Sequence, residues 1–347
     1  MKKILFILSL FILVSCADVK ITLQDKQVSI GYTTLVDKSN AATKVPTFTR
    51  RVFDNANIFQ SYAFYLPLDV LWTYSVVTGD NKSKPYFNTD VIVKKDVTNN
   101  VWKDPDNDWY WPKTYSLTFF AWSLNAPSLD FPANSPTKVT CTDQNGIVAT
   151  EYDIELNKNI DFLVADIAAD KTVNENLYNY QGVPTVFKHK LTQFNATISK
   201  KENYSGIKFT LNSIVFNNLN KSGNYTQNPD IIKVGTIKSN QTFTDKDQVA
   251  TSLTPVDISN VDQYIYLPQD FDDNKTITIT YTIGYDTNGD GNVDLEEPVT
   301  ITRKLSDLFE TGGFKPGTRY TLNIIFKMDE IYWDPVVEDW EDKSFTL

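Results

Sequence analysis

Short stretches in which apolar and polar residues alternate, separated by polar turns, recur along most of this 347-residue chain. A period of two is typical of strands with one buried face, and turn residues between such strands indicate antiparallel sheets. No long stretch has the period of an amphipathic helix, so the pattern predicts an all-β fold. The clearest stretches read IKFTLNSIVF (207–216), IIKVGTI (231–237), YIYL (264–267), TITITYTIGY (276–285), VTITRK (299–304) and YTLNIIF (320–326).

The length and composition of the chain favour two domains. A chain of 347 residues exceeds the usual size of one domain, and 41% apolar residues are enough to form cores. In the first half, SLTFFAW (116–122) and DFLVADIA (161–168) are the strongest candidates for buried strands. We therefore place the boundary near residues 180–190 and predict one antiparallel β-sandwich at residues 52–185 and a second at residues 186–347.

The N-terminus has the features of an exported bacterial lipoprotein. Two lysines precede ILFILSLFILV, an apolar run that suits a signal peptide and is too short to span a membrane. The sequence LVSC (13–16) then matches a lipobox, in which the cysteine is diacylated and anchors the chain stably. We predict a signal peptide at residues 1–15 and lipidation at Cys16. An ordinary secretory signal with a chance cysteine is the alternative, and acylation of Cys16 would leave Cys141 without an intramolecular disulfide partner.

Few side chains suit catalysis. His189 is the only histidine, no G-x-S-x-G nucleophile motif or glycine-rich phosphate loop is present, and a zinc site would need several more ligands. Carboxylates are plentiful, but no spacing singles out a pair of the glycosidase type. The net charge of −10, without basic clusters, argues against nucleic acid as a partner. We therefore predict that the protein is not an enzyme and that His189 is a structural or surface residue.

Aromatic residues are concentrated in one short region. Large rings at this density either form a stacking platform for sugars or fill a core, where each ring buries a large area. We favour core filling, with a few of the rings half-buried. The residues are Trp102, Trp109, Tyr110, Trp111, Tyr115 and Trp122.

The stretch DTNGDGNVDLEE (286–297) matches the ligand positions of an EF-hand calcium loop, with Gly291 at the sharp turn. Both flanking segments are predicted strands, so the loop lies at the tip of a hairpin rather than between the helices of a calcium sensor. We predict that Ca²⁺ is the cofactor of this loop, and a long polar hairpin tip without metal is the alternative. The predicted ligands are Asp286, Asn288, Asp290, Asn292, Asp294 and Glu297.

Several segments together resemble the fimbrillin-like family, the lipoprotein pilins of type V pili. The resemblance covers nearly the whole chain after Cys16 and implies two tandem transthyretin-like antiparallel β-sandwich domains. It is carried by Trp111-Pro112 with SLTFFAW, by DFLVADI, VFKHKLTQFNATI, and FTLNSIVFNN with Ser222-Gly223-Asn224-Tyr225, and by FKPGTRYTLNIIF and Val337-Glu338-Asp339-Trp340.

The resemblance also implies a route of assembly. Subunits are exported as outer-membrane lipoproteins, an arginine-specific protease removes the N-terminal segment with its first strand, and the groove accepts a strand from another pilin subunit. The pair Arg50-Arg51 lies in a polar stretch after the first candidate strands. We predict cleavage after Arg50 or Arg51, which makes residues 16–51 a lipidated segment with a removable first strand. An ordinary pair of surface charges is the alternative.

We expect a structural or adhesive subunit of a cell-surface fimbria. The segment VVEDWEDKSFTL (336–347) carries apolar Val337, Phe345 and Leu347 in one strand phase, but charged residues interrupt that phase. A tip, accessory or anchor subunit is therefore as compatible with the sequence as a stalk subunit. The runner-up is a non-polymerising surface lipoprotein that binds a glycan or a host protein.

Overall fold

The computed structural model describes residues 28–36, 51–73, 82–87, 90–173, 182–258, 264–328 and 331–340. The predicted signal peptide, the lipidation site at Cys16 and the first candidate cleavage residue, Arg50, lie outside the described residues. The strands of the first half are β1 (Tyr32–Val36), β2 (Arg51–Val52), β3 (Phe59–Pro67), β4 (Lys84–Pro85), β5 (Val91–Asp96), β6 (Val101–Lys103), β7 (Tyr115–Ser123), β8 (Lys138–Thr142), β9 (Gly146–Asp153), β10 (Leu163–Ala165), β11 (Ala168–Lys171) and β12 (Val183–His189).

The second half continues the all-β pattern. The only helix among the described residues is the four-residue α1 (Leu305–Leu308). The strands are β13 (Thr192–Lys200), β14 (Ile207–Asn220), β15 (Ser222–Thr226), β16 (Ile231–Val234), β17 (Lys238–Thr244), β18 (Gln248–Val249), β19 (Val256–Asp257), β20 (Ile265–Tyr266), β21 (Gln269–Asp270), β22 (Thr276–Tyr285), β23 (Leu295–Lys304), β24 (Gly313–Phe314), β25 (Thr318–Phe326) and β26 (Ile331–Asp339).

The prediction of an all-β fold is confirmed, because sheets account for nearly all of the regular structure. The transthyretin-like detail stays a prediction. Among the described residues, no helix has the length and apolar character needed to cross a membrane.

The large sheet of the first half closes on itself. Its order is β11-β7-β10-β12-β1-β6-β5-β3-β4, and β3 also pairs with β7 along eight residues. The enclosed side chains form a compact aromatic core, in which Phe53 stacks on Phe187 at a centroid distance of 4.7 Å. Strand β1 lies between β12 and β6 in this order, so the sheet is closed only while β1 is in place.

The second half contains two facing sheets. One has the order β19-β13-β25-β26, with β20 also paired to β13, and the other has the order β17-β14-β22-β23, with β18 also paired to β14. Alternate residues of the long strands are buried, as the period-two pattern predicts. Their rings meet edge to face between the sheets, for example Phe194 and Phe216 at 4.8 Å.

The two halves share a sheet and part of a core. Strands β8 and β9 pair with β15 and β16 in the order β16-β15-β9-β8. Phe120 and Trp122 of β7 belong to the same buried cluster as Phe194 and Phe216. The predicted boundary between residues 185 and 186 falls inside β12, whose residues pair with β1 and β10. The division into two domains at that point stays a prediction.

Candidate functional site

The first described strand, β1, occupies an interior position of the closed sheet. It is parallel to β12, from Tyr32 opposite Val183 to Val36 opposite Phe187. Its other edge is antiparallel to β2 and touches β6 at Trp102. The five residues YTTLV are β-branched or apolar, carry no charge, and are buried at alternate positions. The sequence therefore favours a strand here, and the neighbours on both edges make it a core strand.

Tyr32 is the main anchor of β1. Its ring lies edge to face against Phe59 at 5.4 Å and against Phe119 at 5.9 Å. Its hydroxyl donates a hydrogen bond to Ser61 Oγ at 3.0 Å, which satisfies the polar end of a side chain that is 4% exposed. Burial raises the pKa of the Tyr32 hydroxyl well above its ordinary value. This group therefore stays a neutral hydrogen-bond donor.

A close approach of two glycines sets the start of the β1–β12 pairing. The backbone N–H of Val183 donates to the carbonyl of Gly31 at 2.7 Å. Gly182 has a φ of +131°, and a Cβ built there would lie 2.5 Å from the Gly31 oxygen. A residue with a side chain at position 182 would therefore be strained in its backbone and would collide with β1.

The segment before β1 is held by the residues around Trp109. The Ile30 N–H donates to the Trp109 carbonyl at 2.7 Å, and the Trp111 N–H donates to the Val28 carbonyl at 2.9 Å. The Trp109 indole N–H in turn donates to Asp104 Oδ2 at 2.9 Å. Burial opposes ionisation of Asp104, but this bond and those from Asp106 and Asn107 outweigh it and lower the pKa of the carboxyl.

The predicted cleavage position lies directly beside β1. The backbone of Arg51, in β2, pairs with Val36, the last residue of β1. Two residues later Phe53 is fully buried against Phe187. A cut after Arg50 or Arg51 would leave Phe53 as an anchor near the new N-terminus. It would also break the covalent link between β1 and the rest of the chain that forms the sheet.

The predicted calcium loop lies at the tip of the β22–β23 hairpin, as expected from its flanks. The Asp286 carboxylate accepts hydrogen bonds from the N–H groups of Gly289 and Gly291, at 2.6 and 2.9 Å. The Asp294 carboxylate accepts from Thr287 and Asn288, and these bonds lower its pKa, with the Thr287 hydroxyl as the largest cause.

The other predicted ligands divide into two groups. Asp290 and Asn292 remain in the turn, where the Asn292 N–H donates to Asp290 Oδ1 at 2.8 Å. Glu297 lies in β23 and accepts a hydrogen bond from the Tyr285 hydroxyl at 2.9 Å. Within the described parts of the chain, no three His, Cys, Asp or Glu side chains are grouped to hold a metal ion. Of the two Glu297 carboxylate oxygens, the Tyr285 hydroxyl contacts only Oε2.

His189 is buried at the end of β12 and pairs with Asp161, with Nδ1 and Oδ2 2.8 Å apart. The Trp340 ring stacks on the imidazole at a centroid distance of 4.1 Å. His189 is therefore not a surface residue, and its structural role stays a prediction. Its partners lie 28 and 151 positions away along the chain, so no local sequence pattern indicates them.

The clustered aromatic residues fill cores, which confirms the interpretation favoured by the sequence. Trp102 and Trp122 are buried, and Trp109 and Trp111 are partly buried against the core of the first half. Tyr115 is the most exposed of the set. These rings do not form a flat exposed platform.

The fold and the embedded N-terminal strand define an all-β protein of several sheets with a central aromatic core in each half. The family model for fimbrillin-like proteins matches residues 69–340. The chain belongs to the fimbrillin-like family.

The chain is also similar to solved structures over most of its length. One is a fimbrial protein from Bacteroides vulgatus, with 16% sequence identity, a TM-score of 0.64, and coverage of 90% of this chain and 99% of that one. Another is a proposed cell adhesion protein from Bacteroides ovatus, with 12% identity, a TM-score of 0.50, and coverage of 92% and 99%. At these identities the likeness concerns the fold. No curated protein matches the sequence.

Membership of this family indicates where the protein acts and what it associates with. The fimbrillin-like family is a fimbrial family, which indicates a cell-surface location and association with other pilin subunits. The finer predictions on export, processing, assembly and ligands remain proposals.

Proposed function

We propose that the protein is a structural or adhesive subunit of a cell-surface fimbria, exported as a lipoprotein anchored at Cys16 and assembled by exchange of β1. One observation carries the proposal. A five-residue strand near the N-terminus is embedded between β12 and β6, and the only arginine pair of the chain lies between it and the rest of the sheet. If Arg50-Arg51 were an ordinary pair of surface charges, its position between β1 and the rest of the sheet would have no explanation.

The physics of exchange follows from the pairing of β1. After a cut at Arg50 or Arg51, β1 is held only by hydrogen bonds and side-chain packing. Its departure would expose the edges of β12 and β6 and empty the sites of Ile30, Tyr32 and Val36, which are buried in the intact chain. Unpaired edges and apolar pockets favour the addition of another strand, so the vacated groove selects a donor.

A segment of this chain is similar in pattern to β1. Residues 344–347 (SFTL) place a small residue, an aromatic residue and a threonine in the same order as Gly31-Tyr32-Thr33. Because β1 is only five residues long, a donor needs two or three inward side chains rather than a long apolar strand. Phe345 and Leu347 are in one phase and could replace Tyr32 and Thr34. The charges at residues 339–343 then lie outside the region that must match, which supports a second copy of this chain as the donor.

The test is the first residue of the chain in assembled fibres. N-terminal sequencing of purified fibres is expected to give Arg51 or Val52. The double variant Arg50→Lys, Arg51→Lys keeps both charges and is expected to remain uncleaved and unassembled, with Arg303→Lys in β23 as the control. Fibres built from chains that begin at Cys16 would contradict the proposal. Unchanged fibres after deletion of the gene would favour the non-polymerising surface lipoprotein that binds a glycan or host protein.

We further propose that the 286–297 loop binds Ca²⁺ weakly and stiffens the β22–β23 hairpin. The supporting observation is the turn at Gly291, whose φ of +88° and open surroundings suit a loop that folds around a cation. At ten times a dissociation constant near 1 mM, binding would add about 1.4 kcal/mol to the free energy of unfolding. Thermal unfolding with and without CaCl₂ is expected to show this gain, and Asp286→Asn is expected to abolish it. An equal response of both proteins would overturn it.

A further inference from the structure

A cleft lies where the shared sheet of the two halves meets the β21–β24 pair. Its cavity volume is about 350 Å³, within the range of roughly 300–1,000 Å³ that is usual for small-ligand sites. One wall is β16, the last strand of the shared sheet. The opposite wall is formed by residues 268–270 and 314–316. The position between two parts of the fold is one where ligand pockets commonly occur.

The floor of the cleft contains a buried lysine. Lys190 follows β12, and its side chain is 10% exposed. Its Nζ donates to both oxygens of Asp230, at 3.0 and 2.9 Å, and lies 5.4 Å from the centre of the Tyr225 ring. The Asp230 side chain is 60% exposed, so water screens the attraction and the pair contributes little to stability. Binding of a ligand to both the ammonium and the carboxylate would give this pair a function other than stabilising the fold.

A second ion pair stands on the opposite wall. Lys315 Nζ lies 3.2 Å from Asp270 Oδ1, and both side chains are largely exposed. The short β21–β24 ladder, with Gln269 opposite Phe314 and Asp270 opposite Gly313, fixes the backbone that carries them. The cleft therefore presents two ammonium groups and two carboxylates on a rigid frame.

The charges in the cleft select for a neutral polar ligand. Each ammonium already has a carboxylate partner, so a charged ligand that took one group would leave the other uncompensated. A hydroxyl group both donates and accepts, and can therefore bridge a carboxylate oxygen and an ammonium nitrogen without disturbing the pair. Several hydroxyls on one small ring would engage both pairs together.

Most of the remaining lining is apolar. Ile231 and Val234 of β16 are substantially exposed, and the other wall contributes exposed Pro316 beside buried Pro268. Such side chains suit the C–H faces of a pyranose ring. We propose that this cleft binds one hexose-sized unit of a carbohydrate, with its hydroxyls on the Lys190–Asp230 and Lys315–Asp270 pairs.

This proposal goes beyond assembly and does not rest on strand exchange. The cleft is formed within one chain and no residue of β1 lines it, so an uncleaved monomer is expected to bind sugar. Failure of sugar binding and failure of fibre assembly are therefore separate results.

Saturation-transfer difference NMR on the purified protein would test the site. The probes are the methyl glycosides of glucose, galactose, mannose and N-acetylglucosamine, each added separately at millimolar concentration. Transfer to the ring protons of at least one of them is expected. The absence of transfer to all four would overturn the proposal.

Two variants locate the binding. Asp270→Ala removes an exposed carboxylate and is expected to weaken the responding sugar about tenfold, which is the effect of one lost hydrogen bond to a charged group. The matched control is Asp273→Ala, which breaks a similarly exposed pair with Lys304 at 3.0 Å outside the cleft. Equal affinities of the two variants would place the sugar elsewhere and overturn the proposal. Lys190→Met is expected to abolish binding, with its near-UV circular dichroism compared with the parent as a check on folding.

Discussion

The strands at the two ends of the described chain differ in almost every respect. Strand β1 has five uncharged residues and lies in the interior of a closed sheet, paired on both edges. Strand β26 has nine residues, contains Pro335 and several acids, and among the described residues pairs only with β25. The first is held by what it buries, and the second mainly by its backbone ladder. Proline and charge on an exposed edge also discourage unwanted pairing.

The two strands are therefore expected to differ in the free energy that their removal from the sheet would cost. Removal of β1 leaves the pockets around its buried side chains empty and opens the closed sheet. It therefore costs free energy unless another strand takes its place. Removal of β26 exposes one edge and less apolar surface, because Tyr332, Val336 and Val337 already face solvent, although Ile331 is buried and Trp333 packs against the core. The largest buried side chain at this end of the described chain is Trp340, which follows β26 and packs against His189. Substitutions at matched positions can measure each part of this contrast.

The largest difference is expected between two tyrosines. Tyr32→Ala removes a ring that packs against Phe59 and Phe119, and the resulting cavity should lower the free energy of unfolding by about 3–5 kcal/mol. Tyr332→Ala in β26 removes a ring that is 51% exposed, and should change it by about 0.5 kcal/mol. Urea unfolding of both variants gives the comparison. Equal losses would show that the two strands are held alike.

Substitution of Trp340 tests the contribution of this buried ring. Trp340→Ala should lower the free energy of unfolding by about 3 kcal/mol, since a large buried ring is lost although the end of a chain can relax. The same urea titration would measure it, with exposed Val337→Ala as the control on the same strand. A loss no greater than that of the control would mean that the stack on His189 does not fasten β26.

The glycine contact between β1 and β12 should have an intermediate effect. Gly182→Ala combines an unfavourable φ with a collision at the Gly31 carbonyl, and should cost about 1–3 kcal/mol. Gly291→Ala has an unfavourable φ but nothing within 4 Å of the added carbon, so it isolates the strain of the backbone. Thermal unfolding of both variants gives the comparison. The extra loss of stability at position 182 over that at position 291 would measure the cost of the collision with Gly31.

The smallest expected effect is the pH dependence of the support around β1. The pKa of Asp104 is lowered in the folded protein, so its ionised form adds stability above the ordinary aspartate pKa of about 3.9. That contribution is lost as the pH falls through the lower, folded-state value. Asp104→Asn should therefore be less stable than the parent by about 1 kcal/mol at pH 7, and the gap should begin to close below a pH of about 4 and vanish below the folded-state pKa of Asp104. Urea midpoints at several pH values would show this, and a gap that widens in acid would contradict it.

Much of the secondary structure was predictable because alternation is a local signal. The stretches at 276–285 and 320–326 lie in β22 and β25, and the loop at 286–297 lies at a hairpin tip. The core-filling interpretation of the aromatic residues is confirmed for Trp102 and Trp122, and it rested on the large area that each ring buries. The sheet made by β8, β9, β15 and β16 was not predicted, because its partners come from distant parts of the chain.

The candidate sites divide in the same way. The arginine pair and the calcium-type loop are contiguous sequences and could be recognised directly. The Asp161–His189–Trp340 cluster and the cleft with Lys190 and Asp270 assemble residues that no spacing rule connects. Each of these depends on where a strand or turn from one half meets the other.

The sequence by itself determined that this chain forms strands, which face of each strand is apolar, and to which family it belongs. Only the tertiary structure decided that β1 lies between β12 and β6 while β26 lies at an edge. The physical reason is that alternation specifies faces, whereas the backbone groups along a strand edge are nearly the same in every residue. The choice of neighbour is made by side chains that fit together, as Tyr32 fits against Phe59 and Phe119.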